Sequence, residues 1–568
     1  MLLFFLLLST VFSCDDCNDC NDDDCDDCCC CCPDDPEDVL MVNLNYYATR
    51  DYATAITSDN IHQLHLGWNV SLSGSSISPP SIIEDLVWTG DFGGSLTTVD
   101  YWNGDIVVQK NVSTAYNLPN RIFARVTPTH DFDSKLVITV TNGIIGQRLG
   151  QGVFVIAANR FTLEQVWKTQ ITDDPWAVGT GSPLIKDGFA YVVTSSAGTG
   201  GPLQPNYTCC TTTGRFYELD LTNGFVTQDV PMIPDAILGA GQYSGAAIWG
   251  QWIIVGKNAY VGTGQMYQVP AAVAACVLAT PQANQSACID PRVNWNSVVK
   301  IRLSRGRPGV GGIVKAFKTT GVDVWNVACY LNGLIPGCQL PGDAFDWDVS
   351  GLIYSEAQGI IYAATKAGFV IALDTDLNFL NKLAMINNTG SIFGGYIGAG
   401  ALRDDDDPRN MRLVYANNNG NYSAIRLPNG TWVYSGVWVC YDGNLKLKWM
   451  TPAPGVGLTP QIPSKPAADT IFGGVTMTND LVMGCTRYGG LCPWMHIDTG
   501  KILKTISIGG AMSGSCSGHG DSIICPTGPG GNPLGSLNPK LPGPVYTATS
   551  PPPGRTIMNI WNIQKWEI

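Results

Sequence analysis

The chain has 568 residues, of which 45% are apolar and only 14% are charged, so it is long enough to bury a large core. Its 64 glycines and 35 prolines favour many short strands joined by turns, and we expect little helix. The formal net charge of −14 argues against nucleic acid or an anionic membrane as a partner, because both require a basic face.

The chain begins with an apolar run, MLLFFLLLSTVFS, at residues 1–13. It is too short to span a bilayer, and we interpret it as a secretory signal peptide. No Lys or Arg precedes the apolar run, which is unusual for such a signal, and a bacterial lipoprotein signal that ends at Cys14 is the alternative. No later stretch is long and apolar enough to predict a transmembrane segment.

Two further features indicate export. The chain contains 20 cysteines, a number that persists as disulfide bonds in an oxidising compartment. N-glycosylation sequons occur at Asn69, Asn111, Asn206, Asn284, Asn387, Asn421 and Asn429. We therefore expect a secreted, disulfide-bonded glycoprotein, either free or associated with the surface of a cell or particle.

Residues 14–38 form a low-complexity tail, CDDCNDCNDDDCDDCCCCCPDDPED, with almost no residue able to build a core. Two interpretations stay open. The tail either binds cations or links chains through intermolecular disulfides, because carboxylates bind hard cations and clustered thiols cross-link, or it is a disordered acidic spacer. In the first case it would let the protein self-associate.

From residue 40 to residue 568 we expect one domain, because a single theme recurs along it. The theme is an apolar strand that ends near Asp, a turn with Gly or Asn, and a second strand. Its copies are residues 95–111, 154–171, 214–230, 298–317, 368–385, 437–452 and 492–508.

Each copy reads as a hairpin, in which the Asp opens the turn and the Gly, the Asn or a neighbour takes the positive φ. The Asp positions are Asp100, Asp220, Asp374, Asp442 and Asp498, and their spacing fits one four-stranded propeller blade with insertions. Alternating apolar residues such as Phe369, Ile371 and Leu373 place one strand face inward. The strands LGWNVSL, PVYTAT and IMNIWNIQKWEI would complete an eighth blade and hide the free strand edges.

These copies resemble the repeat of the pyrroloquinoline-quinone (PQQ) alcohol dehydrogenases, in which a strand, an Asp, a Thr-Gly-Lys turn and a strand with Trp follow each other. The stretch from Asp498 to Lys501 and Trp449 match it. The similarity is greatest to the branch that resembles polyvinyl alcohol dehydrogenase. It implies an all-β, eight-bladed propeller of four-stranded antiparallel blades and an oxidoreductase that acts on the CH–OH group of small or polymeric alcohols.

Several cofactor contacts follow from the resemblance. In NYTCCTTTG, Cys209 and Cys210 would form a vicinal disulfide that packs on the quinone, and in SGAAIW, Trp249 would lie beside it. Lys366 would reach the quinone oxygens and Arg125 a PQQ carboxylate. Each of these residues has an ordinary structural alternative, such as a bridge to another cysteine, a place in the core or an exposed surface position.

The segment VDVWNVACYLNGLIPGCQLPGDAFDWDVSG resembles the part of the family that carries the catalytic base. It implies that Asp346 or Asp348 takes the alcohol proton as hydride passes to the quinone. We favour Asp346, although the spacing permits either and a solvated acidic turn is the alternative. The resemblance also implies a Cys329–Cys338 bridge.

The chain departs from the family at the divalent cation, which is usually calcium and is held there by a Glu, an Asn and the quinone. The stretch SSAGTGG at residues 195–201 lacks the Glu, and Gln265 stands where the family has Asn. Gln265 and Asp348 are the remaining candidate ligands, and loss of the carboxylate should weaken cation binding. No Cys-x-x-Cys-His haem motif occurs.

The sequence leaves two hypotheses open. The first is an active dehydrogenase that uses PQQ and calcium, and it rests on the joint occurrence of Cys209, Cys210, Trp249, Lys366, Arg125 and the Asp pair. The second is a non-catalytic secreted propeller with a degenerate cofactor site, a structural or surface-coat protein cross-linked through its tail. It rests on the missing Glu, the sequons and the tail.

Overall fold

The chain folds as an eight-bladed β-propeller, seen here in a computed structural model. The structure describes residues 38–74, 76–118, 122–123, 126–143, 152–198, 210–318, 322–324, 346–347, 350–386, 394–420, 423–455, 469–510, 512, 514–527 and 557–563. Within these residues, seven sheets have four strands, and the sheet of blade 3 has five because its innermost strand is in two pieces. The expected fold class is confirmed.

The first strand of the chain, β1 (His65–Ser71), belongs to the last blade. Blade 1 consists of β2 (Ser81–Ile83), β3 (Leu86–Gly90), β4 (Ser95–Asp100) and β5 (Ile106–Asn111), from the innermost strand outward. Blade 2 consists of β7 (Thr129–Asp131), β8 (Leu136–Val140), β10 (Val153–Asn159) and β11 (Gln165–Thr172). A separate two-stranded sheet pairs β6 (Ile122–Phe123), which precedes this blade, with β9 (Asn142–Gly143), which lies between β8 and β10 in the chain. Blade 3 consists of β12 (Ala177–Gly179), β13 (Leu184–Lys186), β14 (Phe189–Ser196), β15 (Arg215–Asp220) and β16 (Val226–Pro231).

The next two blades follow the same order. Blade 4 consists of β18 (Ile253–Val255), β19 (Asn258–Gly262), β21 (Ser297–Arg302) and β22 (Gly312–Lys318). A separate two-stranded sheet pairs β17 (Ser244–Gly245) with β20 (Met266–Gln268). Blade 5 consists of β23 (Leu352–Ser355), β24 (Ile360–Ala364), β25 (Phe369–Asp374) and β26 (Phe379–Met385).

The last three blades close the ring. Blade 6 consists of β27 (Ala401–Arg403), β28 (Arg412–Asn417), β31 (Val437–Tyr441) and β32 (Leu447–Pro452), with the hairpin β29 (Ile425–Arg426) and β30 (Trp432–Val433) inserted. Blade 7 consists of β33 (Thr476–Thr478), β34 (Leu481–Met483), β35 (Leu491–His496) and β36 (Ile502–Ser507). Blade 8 consists of β37 (Ser517–His519), β38 (Ser522–Pro526), β39 (Ile557–Asn562) and β1.

Helix is scarce, as expected. The described residues contain two short α-helices, α1 (Val112–Ala115) and α2 (Ala271–Ala279). They also contain three 3₁₀ turns, Ile61–Gln63, Asp235–Ile237 and Gln282–Cys288. No helix among them is long and apolar enough to cross a membrane.

The seven repeat copies are the hairpins between the third and the outermost strands of blades 1–7, as predicted. At the first copy the Asp100 side chain accepts hydrogen bonds from the amides of Trp102 and Asn103, and Gly104 has a φ of +78°. Blade 7 differs from the expectation for Asp498. There the Asp498 amide donates to His496 Nδ1 at 3.2 Å, so His496 holds the turn position.

Closure uses both ends of the domain. Strand β39 pairs antiparallel with β1, for example Ile560 with Trp68. This pairing gives blade 8 its outermost strand and hides the edges of both segments. The predicted eighth blade is thus confirmed for the LGWNVSL and IMNIWN strands, and PVYTAT lies outside the described residues.

The core is divided among the junctions between adjacent blades. Each blade buries alternate residues against one neighbour and the intervening residues against the other. In β24, for example, Ile361 and Ala363 face blade 4, whereas Tyr362 and Ala364 face blade 6. This burial on both faces explains why the inner strands are almost continuously apolar.

Three junctions between blades share one hydrogen bond, which is made by the Trp of the repeat. The indole Nε1 of Trp68, Trp167 and Trp449 donates at 2.7–2.8 Å to a turn carbonyl of the next blade. Each indole packs on a turn glycine with positive φ, and a Cβ there would come within 2.8 Å of the ring. The glycines are Gly104, Gly224 and Gly500. Tryptophan and glycine therefore belong to one interblade contact.

At other junctions a different side chain donates the hydrogen bond that the indole makes at the first three. Gln228 Nε2 donates to the Arg302 carbonyl at 3.0 Å, between blades 3 and 4. Lys504 Nζ donates to the Leu64 carbonyl at 2.5 Å, between blades 7 and 8. The hydrogen bond to a turn carbonyl thus persists where the repeat has diverged.

A segment that we call the strap, residues 38–56, runs around the inner edge of the ring. It exchanges backbone hydrogen bonds with the innermost strands of blades 1, 2, 4, 5, 6 and 7, through Ile82, His130, Ile254, Tyr354, Leu402 and Met477, and with Gly520 of blade 8. In blade 3 the Tyr46 hydroxyl donates to the Ile185 carbonyl. The strap therefore contacts all eight blades at one end of the central channel.

Disulfides link neighbouring parts of the chain. The described pairs are Cys276–Cys288, Cys485–Cys492 and Cys516–Cys525. Among the described cysteines, Cys440 is a buried free thiol. The predicted Cys329–Cys338 bridge lies outside the described residues.

Candidate functional site

The end of the channel opposite the strap holds a buried ion pair. Asp346 Oδ2 accepts a hydrogen bond from Lys366 Nζ at 2.7 Å, and Asp346 Oδ1 accepts one from the Gln265 amide at 2.7 Å. The Asp346 side chain is fully buried and that of Lys366 is 11% exposed. With its Nε2 turned toward the carboxylate, the Gln265 side chain also donates to both oxygens, at 2.5 and 2.8 Å.

Strand order explains why these three residues meet. Asp346 precedes β23, the innermost strand of blade 5, and Lys366 follows β24, which is antiparallel to β23. Gln265 follows β19, the second strand of blade 4. All three therefore lie at the end of the ring where the innermost strands begin, whereas the strap binds farther along those strands.

Close backbone packing holds the pair in place. The Trp347 carbonyl lies 2.2 Å from where a Cβ of Gly262 would be, so a side chain at Gly262 would displace the Asp346 segment. Likewise the Lys366 carbonyl lies 2.0 Å from the Cβ position of Gly395, whose φ is +57°. Glycine is required at both places because backbone occupies the space of a side chain.

An apolar wall lies on the blade 3 and blade 4 side of this end. Cys210, Ala247 and Tyr267 are buried together, and the half-buried Trp249 packs on them. Trp249 also packs against a second small cluster that contains Trp176. Cys210 is disulfide-bonded, and its partner lies outside the described residues.

Two backbone hydrogen bonds join the wall to the ion pair. The Ala246 amide donates to the Gln265 carbonyl at 2.8 Å, and the Gly264 amide donates to the Ala247 carbonyl at 2.9 Å. Gln265 thus lies between the wall and Asp346. The structure thereby brings together five predicted site residues, which are Cys210, Trp249, Gln265, Asp346 and Lys366. Their roles stay predictions, and Cys209, Arg125 and Asp348 lie outside the described residues.

A second buried carboxylate lies near Gln265, at a position that the sequence pattern did not single out. The Asn296 amide donates to the Gly264 carbonyl at 2.9 Å, and its side-chain Nδ2 donates to Asp323 Oδ1. Both side chains are fully buried. Asp323 lies between two valines at the start of the segment that contains Asp346 and Asp348, and an Asp in an apolar run was the available signal.

The described residues do not fit a calcium site. They contain no group of three or more His, Cys, Asp or Glu residues that could hold a metal ion, and Ca²⁺ takes six to eight oxygen ligands. Both oxygens of Asp346 already face Lys366 and Gln265. A divalent cation at Gln265 would therefore need ligands from outside the described residues.

The same residues fit a flat quinone better. Lys366 supplies a nearly buried cation, which stabilises negative charge on a quinone oxygen. Trp249 and Cys210 supply a polarizable apolar wall of the kind on which a planar ring packs. An apolar wall beside a compensated Lys–Asp pair suits a polar aromatic cofactor.

No family model matches the sequence, and no curated protein matches it. Solved structures do match. A europium-containing methanol dehydrogenase superposes with a TM-score of 0.62 at 15% identity, over 93% of this chain and 98% of that one. A quinohemoprotein alcohol dehydrogenase from Comamonas testosteroni gives a TM-score of 0.59 at 14% identity, over 93% and 80% of the two chains.

A further quinohemoprotein alcohol dehydrogenase, ADHIIG from Pseudomonas putida HK5, gives a TM-score of 0.61 at 14% identity, again over 93% of this chain and 80% of the other. At such low identity the similarity establishes the fold alone. The chain therefore has the quinoprotein alcohol dehydrogenase fold, and its activity has to be argued from its own residues.

Proposed function

We propose that this chain is a secreted quinoprotein, closest to the branch that resembles polyvinyl alcohol dehydrogenase, which oxidises an alcohol at the site end of the channel. The observation that carries the proposal is the meeting of Gln265, Asp346 and Lys366. They come from separate parts of the chain and lie within hydrogen-bonding distance. The family resemblance of the sequence independently implies that Asp346 or Asp348 is the base, of which we favour Asp346, and that Lys366 is the cation that reaches the quinone oxygens.

In the proposed reaction Asp346 is the general base. Lys366 Nζ and the Gln265 amide donate hydrogen bonds to its two oxygens and hold the carboxylate in place. PQQ, when bound, supplies the two-electron acceptor that takes hydride from the alcohol carbon. Asp346 Oδ2 or Oδ1 takes the hydroxyl proton as the hydride leaves, and the C–O bond becomes the carbonyl of the product.

Lys366 and the apolar wall have supporting roles. Lys366 orients the carboxylate and stabilises negative charge nearby. Trp249 and the bridged Cys210 exclude water on the opposite side of Gln265, which strengthens the electrostatic interactions at the base. We derive no step for a divalent cation, since the described residues do not fit one.

Secretion belongs to the proposal as well. The four described sequon asparagines, Asn69, Asn111, Asn284 and Asn429, are all exposed, as glycosylation requires. The described disulfides are compatible with an oxidising compartment. Mass spectrometry of the protein secreted by a eukaryotic host should show glycans at these four positions, and unmodified peptides would contradict this part.

One observation favours the second hypothesis, a non-catalytic structural or surface-coat propeller. Both oxygens of Asp346 are engaged, and no cation-ligand cluster exists among the described residues. A degenerate site would keep the fold and lose the cofactor. In that case the tail would link chains, and non-reducing gels should show oligomers that disappear when residues 14–37 are removed.

The test is reconstitution of the purified chain. PQQ is added with Ca²⁺ or a lanthanide, and dye-linked oxidation of secondary and polymeric alcohols is followed together with the cofactor absorption spectrum. Asp346→Asn should lower turnover by roughly 10²–10⁴-fold and retain the absorption of bound cofactor. Asp376→Asn, which breaks an exposed Lys–Asp pair with Lys300, is the matched control and should keep full activity.

Two outcomes would decide against the enzyme. One is the absence of PQQ uptake with either metal. The other is bound PQQ with turnover that Asp346→Asn leaves unchanged, which would move the base to another residue.

A further inference from the structure

A groove on the outer surface, between blades 5 and 6, has no part in the proposed reaction. Its volume is about 570 Å³, within the range of sites that hold small organic molecules. Met385 and Ile386 line it from β26 and its end, and Leu447 and Met450 line it from β32. Trp432 of the inserted hairpin completes the lining.

Three apolar side chains that line the groove, Met385, Trp432 and Leu447, are exposed to solvent. Met385 is 70% exposed and Trp432 is 57% exposed. Burial of such side chains against a bound apolar group is favourable. A cluster of exposed large apolar residues beside a concave surface marks a binding surface better than single exposed residues do.

The charge that lines the groove is positive. Arg426 is the charged residue of its lining, it is exposed, and no carboxylate within the described ranges forms an ion pair with it. Lys446 and Lys448, beside Leu447, are also exposed. The acidic residue of that turn, Asp442, is buried and accepts a hydrogen bond from the Lys446 amide at 2.9 Å. The groove lining therefore presents a cation on a chain of net charge −14.

We propose that this groove binds a single-chain anionic amphiphile. The carboxylate or sulfate head group pairs with Arg426, whose guanidinium suits planar or tetrahedral oxyanions. The alkyl chain lies between Met385, Met450 and Trp432, where Met side chains adapt to an irregular chain. The inference is independent of alcohol oxidation, because the groove lies on the outermost strands of blades 5 and 6, whereas the candidate site lies in loops next to the inner strands of blades 4 and 5.

The probe is dodecanoate, compared with dodecanol and dodecyltrimethylammonium, which carry the same alkyl chain. Binding is measured by calorimetry on the full secreted chain, with each ionic compound below its micelle concentration and dodecanol below its solubility limit. Dodecanoate should bind saturably with one molecule per chain, and at least about tenfold more tightly than either of the other two. Equal binding of all three compounds, or uptake that does not saturate, would overturn the proposal.

Two variants separate the head-group contact from the chain contact. Arg426→Gln should weaken dodecanoate binding about tenfold and leave dodecanol binding unchanged. Trp432→Ala should weaken the binding of both. The matched controls are Arg307→Gln, an exposed Arg of blade 4, and Phe225→Ala, an apolar residue of blade 3 that is 71% exposed. Both controls should bind dodecanoate as the unmodified chain does, and a loss in either would contradict the assignment.

Other occupants of the groove would give different results. A dimer in sedimentation that Trp432→Ala abolishes and dodecanoate does not dissociate would show that a second copy covers the groove. Protection of Trp432 from acrylamide quenching in the free chain, judged against Trp432→Phe, would show that another segment of this chain lies on it. Either result would overturn the proposal.

Discussion

The two ends of the central channel are built in opposite ways. At the site end, Gln265, Asp346 and Lys366 reach one place from separate blade loops. At the other end, the contiguous strap of residues 38–56 contacts every blade, mainly through its backbone. The comparison indicates that the site end can vary its side chains for chemistry, whereas the strap end holds the ring closed.

Buried charge is handled differently at the two ends. The site end neutralises Asp346 with Lys366 at 2.7 Å. At the strap end, the fully buried Arg50 has neutral oxygen acceptors, the Val475 carbonyl at 2.6 Å and Asn43 Oδ1 at 2.7 Å. Burial lowers the pKa of Arg50. We infer that the ion pair at the site end suits chemistry, whereas Arg50 at the strap end holds the backbone in place.

The largest expected effect comes from removal of the strap. A chain that starts at residue 57, exported with a foreign signal peptide, loses backbone hydrogen bonds to seven blades, each of which contributes about 1 kcal/mol. Together they rival the roughly 5–15 kcal/mol that stabilises an ordinary domain. Circular dichroism and thermal unfolding should therefore show an unfolded or aggregated product.

The control for this deletion is a chain that starts at residue 38. It keeps the strap and should unfold at the same temperature as the full secreted chain. Equal melting temperatures for all three chains would show that the strap only lies on the ring and does not hold it.

The second prediction concerns the compensated pair at the site end. Lys366→Met leaves the Asp346 carboxylate buried without its cation and should lower the free energy of unfolding by about 3–5 kcal/mol. The double variant Lys366→Met/Asp346→Asn should recover most of that loss, because no buried charge remains. Urea unfolding of the four chains of this cycle measures the coupling, and additive losses would show that the pair is not coupled.

Sequence alone revealed the ring because each repeat is a local hairpin with its own turn chemistry and its own interblade donor, as at Trp167 and Gly224. It did not reveal the strap, whose contacts are made by backbone groups that any residue carries. Nor did it find Asn296 and Asp323, since their proximity to Gln265 depends on how distant loops converge. The prediction that Asp498 opens the turn of its copy was wrong, because His496 fills the position that Asp takes in the other copies.

The third prediction is a pH dependence at the strap end. His130 donates its amide to the Leu40 carbonyl and is buried, and burial together with the nearby Arg160 lowers its pKa to about 3. The unfolded chain binds a proton near pH 6.5, whereas the folded chain does not until about pH 3. Stability is therefore full above about pH 6.5 and falls as pH drops, by up to about 1.4 kcal/mol per pH unit. His130→Asn should make the urea midpoint less dependent on pH between about pH 6.5 and about pH 4. An unchanged pH dependence would show that it does not come from His130.

The fourth prediction is for an indole junction. Trp167→Phe keeps an aromatic ring over Gly224 and removes the donor to the Leu221 carbonyl. The carbonyl then lacks this partner in a buried place, so the free energy of unfolding should fall by about 1–3 kcal/mol. Urea unfolding measures it, and a change within about 0.5 kcal/mol would show that ring packing alone stabilises the junction.

The smallest effect is expected at a junction where the indole has been replaced. Lys504→Met removes the donor to the Leu64 carbonyl and keeps the length of the side chain. Burial lowers the pKa of this lysine, so part of its hydrogen-bond energy already offsets desolvation of the ammonium group. We expect a loss of about 0.5–1.5 kcal/mol in urea unfolding, below that of Trp167→Phe. A larger loss than at Trp167 would mean that the diverged junctions, rather than those that keep the indole and glycine, determine the stability of the ring.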